Sequence, residues 1–426
     1  MSARIVALLA VAGSFSSAAL GQSFTPNNLV VSVVNMPTNT SLGQSVSLQQ
    51  FDLSGPLTAA PNALRLFNLP AAASQSDTTV PNSFVLSGAA TSEGQITLSP
   101  DRATIGIGGY NTWIGRGGNT GFASGSVATT FNFSGNTNTG AAANVPRIVA
   151  SVPANYASTT YTLMNNTFSG SNFRSAVSNG AGGFILGGTS STNTTFPHRL
   201  TGGARSYTTG PASINLTGAQ GTDVNPPSLV NTRFVGPGPT AGSIVIATQS
   251  SVTSVGGPGL YTVTGGNAVL LPGFAPPTAG SWGPNDFQFL GNTLYVADDG
   301  SAGASGTVGG QLGGLQRWDF NGTTWALSYL INQVNTGTAN VFAGLRSLTV
   351  ISDGTSNTIY GIDTGGRLVG VVDAGASSVF TTLAVAPAGF AFRGVEMTPG
   401  TLVPTPGAAG LLALGGLVAA RRRRAC

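Results

Sequence analysis

Six segments of the chain open on a charged residue and continue as a short β-type run. They are Glu93-Gly-Gln-Ile-Thr-Leu, Arg174-Ser-Ala-Val, Arg233-Phe-Val, Asp286-Phe-Gln-Phe-Leu, Arg346-Ser-Leu-Thr-Val-Ile and Arg393-Gly-Val-Glu-Met, at spacings of 81, 59, 53, 60 and 47 residues. Charged residues make up only 7% of the sequence, so six at matched positions form a pattern with chemistry in it. Brought together, four arginines against two carboxylates leave a surplus of +2. Guanidinium groups bind carboxylates through paired, parallel hydrogen bonds, and the surplus therefore points to a small anion, a carboxylate or a uronic-acid-type sugar. The competing reading is structural, with Glu93 and Asp286 paired to arginines of neighbouring strands.

Other residues carry weaker signals. Asp298 and Asp299, followed by Gly300, offer hard oxygen ligands of the kind Ca²⁺ takes. Their spacing is not that of a calcium-binding helix–loop–helix, and Asp363 holds the same turn in a repeated segment, which favours a turn-stabilising aspartate. His198 reads as a surface or strand-start residue. The glycines of Gly106-Ile-Gly-Gly-Tyr110 look like a dinucleotide loop, but no helical pattern follows them. The inventory also excludes chemistry: with 17 arginines and no lysine, no Schiff-base or phosphate-loop lysine exists. A histidine triad could use only His198, a zinc site would lean on carboxylates, and the single thiol of Cys426 forms no intrachain disulfide.

The elements that must position these residues are strands. Short runs rich in Val, Ile, Thr, Tyr and Phe recur between Gly, Asn, Pro and Ser clusters, as at Leu29–Val34, Ile96–Leu98, Phe184–Leu186, Ser243–Ala247, Thr293–Ala297, Leu345–Ile351 and Leu368–Val372. The segment Leu48–Gly55 matches Leu315–Gly322, and Thr293–Gly300 matches Thr358–Gly365 at an offset of 65 residues. Repeats of this length make the unit a four-stranded sheet. Five of the six charged starts are followed by a full set of candidate strands. The sixth, at Arg393, has none, while N-terminal strands at Leu29–Val34, Val46–Leu53 and Ala63–Leu69 lack a leading segment. The expected fold is an all-β six-bladed β-propeller closed by the C-terminal strand pairing with the N-terminal strands, with seven blades or a β-solenoid as alternatives. In a propeller the first strand of each blade lines the central channel, so the six charged residues would form a ring. Stretches at Gly115–Asn144, Gly187–Asn193 and Gly300–Gly314 read as loops.

Both ends read as addresses. Residues 1–21 carry Arg4, an apolar run from Ile5 to Val11 and small residues up to Gly21, the pattern of a secretory signal peptide. Residues 22–402 form the body. Residues 403–426 comprise Pro404-Thr405-Pro406, an uncharged run from Gly407 to Ala420, and Arg421, Arg422, Arg423 and Arg424. A helix of that run reaches about 21 Å, short of a roughly 30 Å hydrocarbon core, and its arginines would stay in the cytoplasm. Removing Arg4 and Arg421–Arg424 leaves 12 arginines against 13 acidic residues, a net charge of −1. The apparent basicity thus speaks for no nucleic-acid partner.

The Pro-x-Pro motif, short apolar run and terminal arginine cluster resemble the bacterial PEP-CTERM sorting signal, and the body resembles secreted propeller-like bacterial proteins that carry such tails. The resemblance implies signal peptidase and an exosortase-type enzyme as processing partners. It also implies transient inner-membrane insertion through the tail, loss of Cys426 with it, and delivery to the cell surface or extracellular matrix. The expected function is a secreted, non-catalytic binding or structural component of the bacterial envelope or matrix, without cofactor, whose partner is an extracellular polysaccharide or small anion. The alternatives are a Ca²⁺-dependent lactonase or polysaccharide hydrolase or lyase needing convergent carboxylates from Glu93, Asp286 and Glu396, and an adhesin that uses its loops. If the charged ring is a site, Arg174→Ala abolishes anion binding, as a titration with a soluble uronic acid would read directly.

Overall fold

The computed structural model describes residues 23–400 apart from 37–41, 58, 75–76, 78, 81, 89, 116–146, 165–171, 179–182, 189–203, 208–214, 217–221, 224–230, 241–242, 250–257, 265–266, 275–282, 301–306 and 309–310. The signal-peptide and sorting-tail segments, His198 and most of the three Gly-rich stretches lie outside the described residues. Within them the chain is all-β, with one short helical turn at Tyr156–Ser158. No helix among the described residues is long and apolar enough to cross a membrane.

One antiparallel four-strand meander recurs. It stands alone in three sheets: Phe173–Ser178, Phe184–Gly188, Ala204–Tyr207 and Thr222–Asp223; Thr232–Pro237, Ile244–Thr248, Gly259–Thr264 and Asn267–Leu270; and Pro284–Leu290, Thr293–Asp298, Gly314–Phe320 and Trp325–Ile331. Inside a six-stranded sheet it runs Leu345–Ser352, Asn357–Asp363, Arg367–Val372 and Phe380–Val385. A ten-stranded sheet holds two more copies, joined by the short strand Val85–Ser87. One is Ile96–Leu98, Thr104–Tyr110, Arg147–Pro153 and Thr160–Met164. The other begins with the last described strand, Phe390–Met397, and continues through Leu29–Asn35, Gly43–Phe51 and Ala63–Asn68. The sequence repeats fall on equivalent strands: the pair offset by 65 residues forms second strands of two meanders, and the Leu48 and Leu315 segments form third strands.

The first strands of the meanders pack on one another in chain order. Ile96–Leu98 lies against Phe173–Ser178, which lies against Thr232–Pro237, then Pro284–Leu290, Leu345–Ser352 and Phe390–Met397, and this last strand packs back on Ile96–Leu98. These neighbours are not ladder partners of one another, and side chains link their backbones. Asp286 Oδ2 accepts from Leu348 N and Ser347 Oγ, each at 2.9 Å. Gln288 accepts from Val350 N at 2.6 Å and donates to Val350 O at 3.1 Å. Ser347 Oγ in turn accepts from Val395 N, and Ser32 Oγ bridges Gly394 N and Gly94 O. Buried backbone groups need such partners.

Apolar residues fill the spaces between meanders, as where Phe274 stacks on Trp318 at 4.1 Å. The segment Gly106–Tyr110 is a buried strand of this packing. A Cβ on Gly108 would sit 2.5 Å from the Phe173 ring, and one on Gly109 the same distance from the Phe84 ring. The glycines therefore admit aromatic rings from adjoining elements. Gly108→Ala is expected to destabilise the fold by about 1–3 kcal/mol through overpacking, read as a lowered urea midpoint.

Candidate functional site

Five of the six first strands, all but Ile96–Leu98, enter their sheets through a register shift, and the shift decides which side chain is re-aimed. Thr232 faces Thr248 while Phe234 faces Ala247, so Arg233 is the extra residue of a β-bulge. Arg346 is extra between Leu345 and Ser347, Arg174 between Phe173 and Ser175, and Arg393 with Gly394 stands opposite the single Ser32. A bulge of this kind bends the strand and redirects a side chain. In the Pro284–Leu290 strand the bulged residue is Asn285, because Pro284 faces Asp298 and Asp286 faces Ala297.

The redirected arginines form one electrostatic circuit. Arg174 senses Arg233 and Glu93, Arg233 senses Arg346, and Arg346 and Glu93 both act on Arg393. Asp299, which follows the strand Thr293–Asp298, acts on both Arg174 and Arg233. Burial, with Arg233 as an unfavourable neighbour, pulls the Arg174 guanidinium down to about 9. Burial and Arg346 pull Arg393 down to about 10 against the attraction of Glu93. Both remain cations at neutral pH, but under-compensated ones.

Their hydrogen bonds differ. Arg174 is anchored by Ser92 Oγ at 2.9 Å, Asn231 Oδ1 at 2.8 Å and Thr232 O at 3.1 Å. Arg393 donates to Gly88 O at 2.6 Å, while its buried Nε has no partner. Arg346 has one long contact, to Thr364 O at 3.4 Å. Arg233 is half-buried and makes no hydrogen bond or ion pair to any described residue, and its Nε is buried without a partner. Gln249 donates to Asp299 Oδ1 at 3.2 Å and brings an amide beside this group.

The structure thus brings together five of the six residues singled out from the sequence and places Asp286 elsewhere. Displaced by the bulge at Asn285, Asp286 is fully buried between first strands, held by Ser347 Oγ and Leu348 N. Burial, reinforced by Glu396, pushes its carboxyl well up from the usual range. Glu396 is raised by burial too and accepts from Thr349 Oγ1 at 2.8 Å. Hence the pairing of Asp286 with arginines, one of the two sequence readings of the ring, is not what forms. Asp299 takes the second carboxylate's place. Asp298 points away from it and is fully buried, accepting from Gly283 N, Gly300 N and Gln316 Nε2 at 2.7–2.9 Å. Burial raises it to about 6. No group of three or more metal-ligating side chains occurs among the described residues.

No protein-family model matches the chain, and no curated protein matches it in sequence. Among solved structures it is similar to the periplasmic gluconolactonase PpgL of Pseudomonas aeruginosa, at 12% identity over 89% of this chain and 87% of that one, with a TM-score of 0.40. It is similar also to Trypanosoma rangeli sialidase in complex with the inhibitor DANA, at 8% identity over 71% and 50% of the two chains, TM-score 0.32. A third is the dihydro-heme d1 dehydrogenase NirN in complex with DHE, at 11% identity over 84% and 53%, TM-score 0.30.

The three donors around Asp298 fix its role as a brace between the first and third strands of its sheet. Asp298→Ala strands them and is expected to cost about 3 kcal/mol, measured by chemical denaturation with and without millimolar calcium and equal in both.

Proposed function

We propose that the chain is a six-bladed β-propeller that binds, without turning over, a small carboxylate-bearing ligand of the acidic-sugar type at one end of its first strands. The observation that carries this reading is Arg233: a half-buried guanidinium with no hydrogen-bond partner among the described residues, flanked by the cations Arg174 and Arg346 and by Asp299. Four arginines against Glu93 and Asp299 leave a surplus of +2 in partly desolvated surroundings, where an anion is held far more strongly than at an open surface. The guanidinium plane presents paired donors to a carboxylate. The carboxylate of Asp299, the Gln249 amide that donates to it and the Asn231 amide that anchors Arg174 add polar groups beside the guanidinium, which favours a polyhydroxylated acid over a bare inorganic anion.

Six blades are supported by the cyclic packing of the first strands and by the pairing of Phe390–Met397 with Leu29–Asn35. A hydrolase or lyase finds less support, because Glu93, Asp286 and Glu396 do not converge: the last two face each other between first strands, away from the arginines. The sequence of the two ends supports a secreted protein sorted to the cell surface or matrix by a PEP-CTERM-type signal, with an exosortase-type enzyme as processing partner, and a surface polymer rich in uronic acids would then be the natural ligand source.

The test is calorimetric titration of the protein with D-galacturonate and with oligogalacturonide, using galactose as the neutral control. Binding of the acids alone is expected, weakened at least tenfold by Arg233→Ala, with the sugars recovered unchanged. Equal binding of galactose, or indifference to Arg233→Ala, overturns the proposal, and consumption of the sugar replaces it with the enzymatic reading.

A further inference from the structure

Glu93 is the one fully buried carboxylate in the arginine circuit, and the groups around it tie it to the site at several points. Its Oε1 accepts from Tyr110 OH at 2.5 Å and its Oε2 from Ser87 N at 3.2 Å. The Tyr110 hydroxyl accepts in turn from Phe173 N at 3.2 Å, the residue preceding the Arg174 bulge. Ser92, next to Glu93, holds Arg174 Nε, and Gly88, next to Ser87, holds Arg393 Nη2. Gly94 has a φ of +85° and lies so close to Arg393 that a Cβ there would sit 3.0 Å from the arginine's own.

The charged and titratable groups facing Glu93 are Tyr110 from the second strand of its sheet, Arg147 from the third, Arg174 from the next first strand and Arg393 from the preceding one. Arg147 lies over the Tyr110 ring, 4.9 Å from its centre. The tyrosine is pushed well above its usual range by burial and by Glu93 itself, so it stays neutral and serves as a donor. The three arginines stay charged. Glu93 is therefore the member of this cluster whose charge can change near neutral pH.

Resting on the anion-binding reading above, we propose that Glu93 is a titrating counter-ion built into the arginine site, so that taking up a proton there tightens the hold on an anionic ligand. Burial outweighs the pull of Tyr110, Ser87 and the two arginines and raises the carboxyl to about 7. Above that pH the four bulge arginines, Glu93 and Asp299 sum to +2, and below it to +3. The carboxyl of an acidic sugar stays ionised above about pH 5, so the ligand's charge is constant across the transition. One unit of charge at the separation of neighbouring side chains, in the partly screened environment of the site, is expected to change affinity about fivefold. By linkage, binding near pH 7 should draw a fraction of a proton from the buffer.

The experiment measures galacturonate affinity of the wild-type protein at pH 5.5, 7 and 8.5, and proton uptake at pH 7 from heats in two buffers of different ionisation enthalpy. Tighter binding at pH 5.5 than at 8.5 and net proton uptake at pH 7 are expected, and Glu93→Gln should bind equally at both extremes with no uptake. The wild-type uptake keeps the proposal testable even if that variant folds poorly. Binding that is strong but independent of pH, with no proton taken up, overturns the counter-ion role alone. Absence of galacturonate binding at every pH overturns the anion-site reading and the counter-ion role with it.

Discussion

The structure depends on how the first strand of each meander satisfies its unpaired edge. Such a strand has a ladder partner on one side only, and the other side faces the first strand of the next sheet in the interior, where an unmet N–H or C=O is costly. Side chains supply the missing partners. Asp286 and Gln288 cap the backbone of Leu348 and Val350, Ser347 that of Val395, and Ser32 that of Gly394 and Gly94. This requirement explains why a chain with so few charged residues buries Asp286, Ser32, Ser347 and Thr349 completely or nearly so. It also sets the spacing of the first strands, because the linking side chains are short.

The bulges that start these strands have a second effect. Each lets the backbone turn inward toward its neighbours, and each delivers its extra residue toward the same end. Where that residue is arginine in four strands and asparagine in one, the result is a concentration of positive charge that the protein's own carboxylates only partly offset. Arg174 and Arg393 spend donors on Asn231, Thr232 and Gly88, which fixes their position, whereas Arg233 does not. The cluster is thus a held frame around one guanidinium that makes no hydrogen bond to the described residues.

Much of this was legible because charge is scarce. Arg174, Arg233, Arg346 and Arg393 stand out against an apolar and hydroxyl-rich chain, and each marks a first strand. The four-strand repeat was legible from the Thr293–Gly300 and Thr358–Gly365 match, whose shared aspartate ends the second strand in both. Asp286 was assigned to the ring because it is charged and starts a β-run. The register shift that gives its place to Asn285 is a property of the ladder and leaves no mark in residue type. Asp299 reads from the sequence as a turn residue or, more weakly, a calcium ligand beside Asp298, since adjacency says nothing about which carboxylate turns inward. The glycines at 106, 108 and 109 share only composition with a dinucleotide loop, and the Ala176 carbonyl and the rings of Phe173 and Phe84 reveal what they make room for.

The pairing of Phe390–Met397 with Leu29–Asn35 has a consequence for the order of events during synthesis. Asn28 N donates to Thr398 Oγ1 across 370 residues, and closing a loop of that length carries a length-dependent entropy of about 5 kcal/mol. The fully buried run from Leu29 to Val34 leaves the ribosome first and waits for the last strand, so the N-terminal strands spend the whole of translation with an apolar edge open. In a chain built in this way the first-made sheet is completed last, so any truncation near Arg393 is a truncation of the N-terminal sheet.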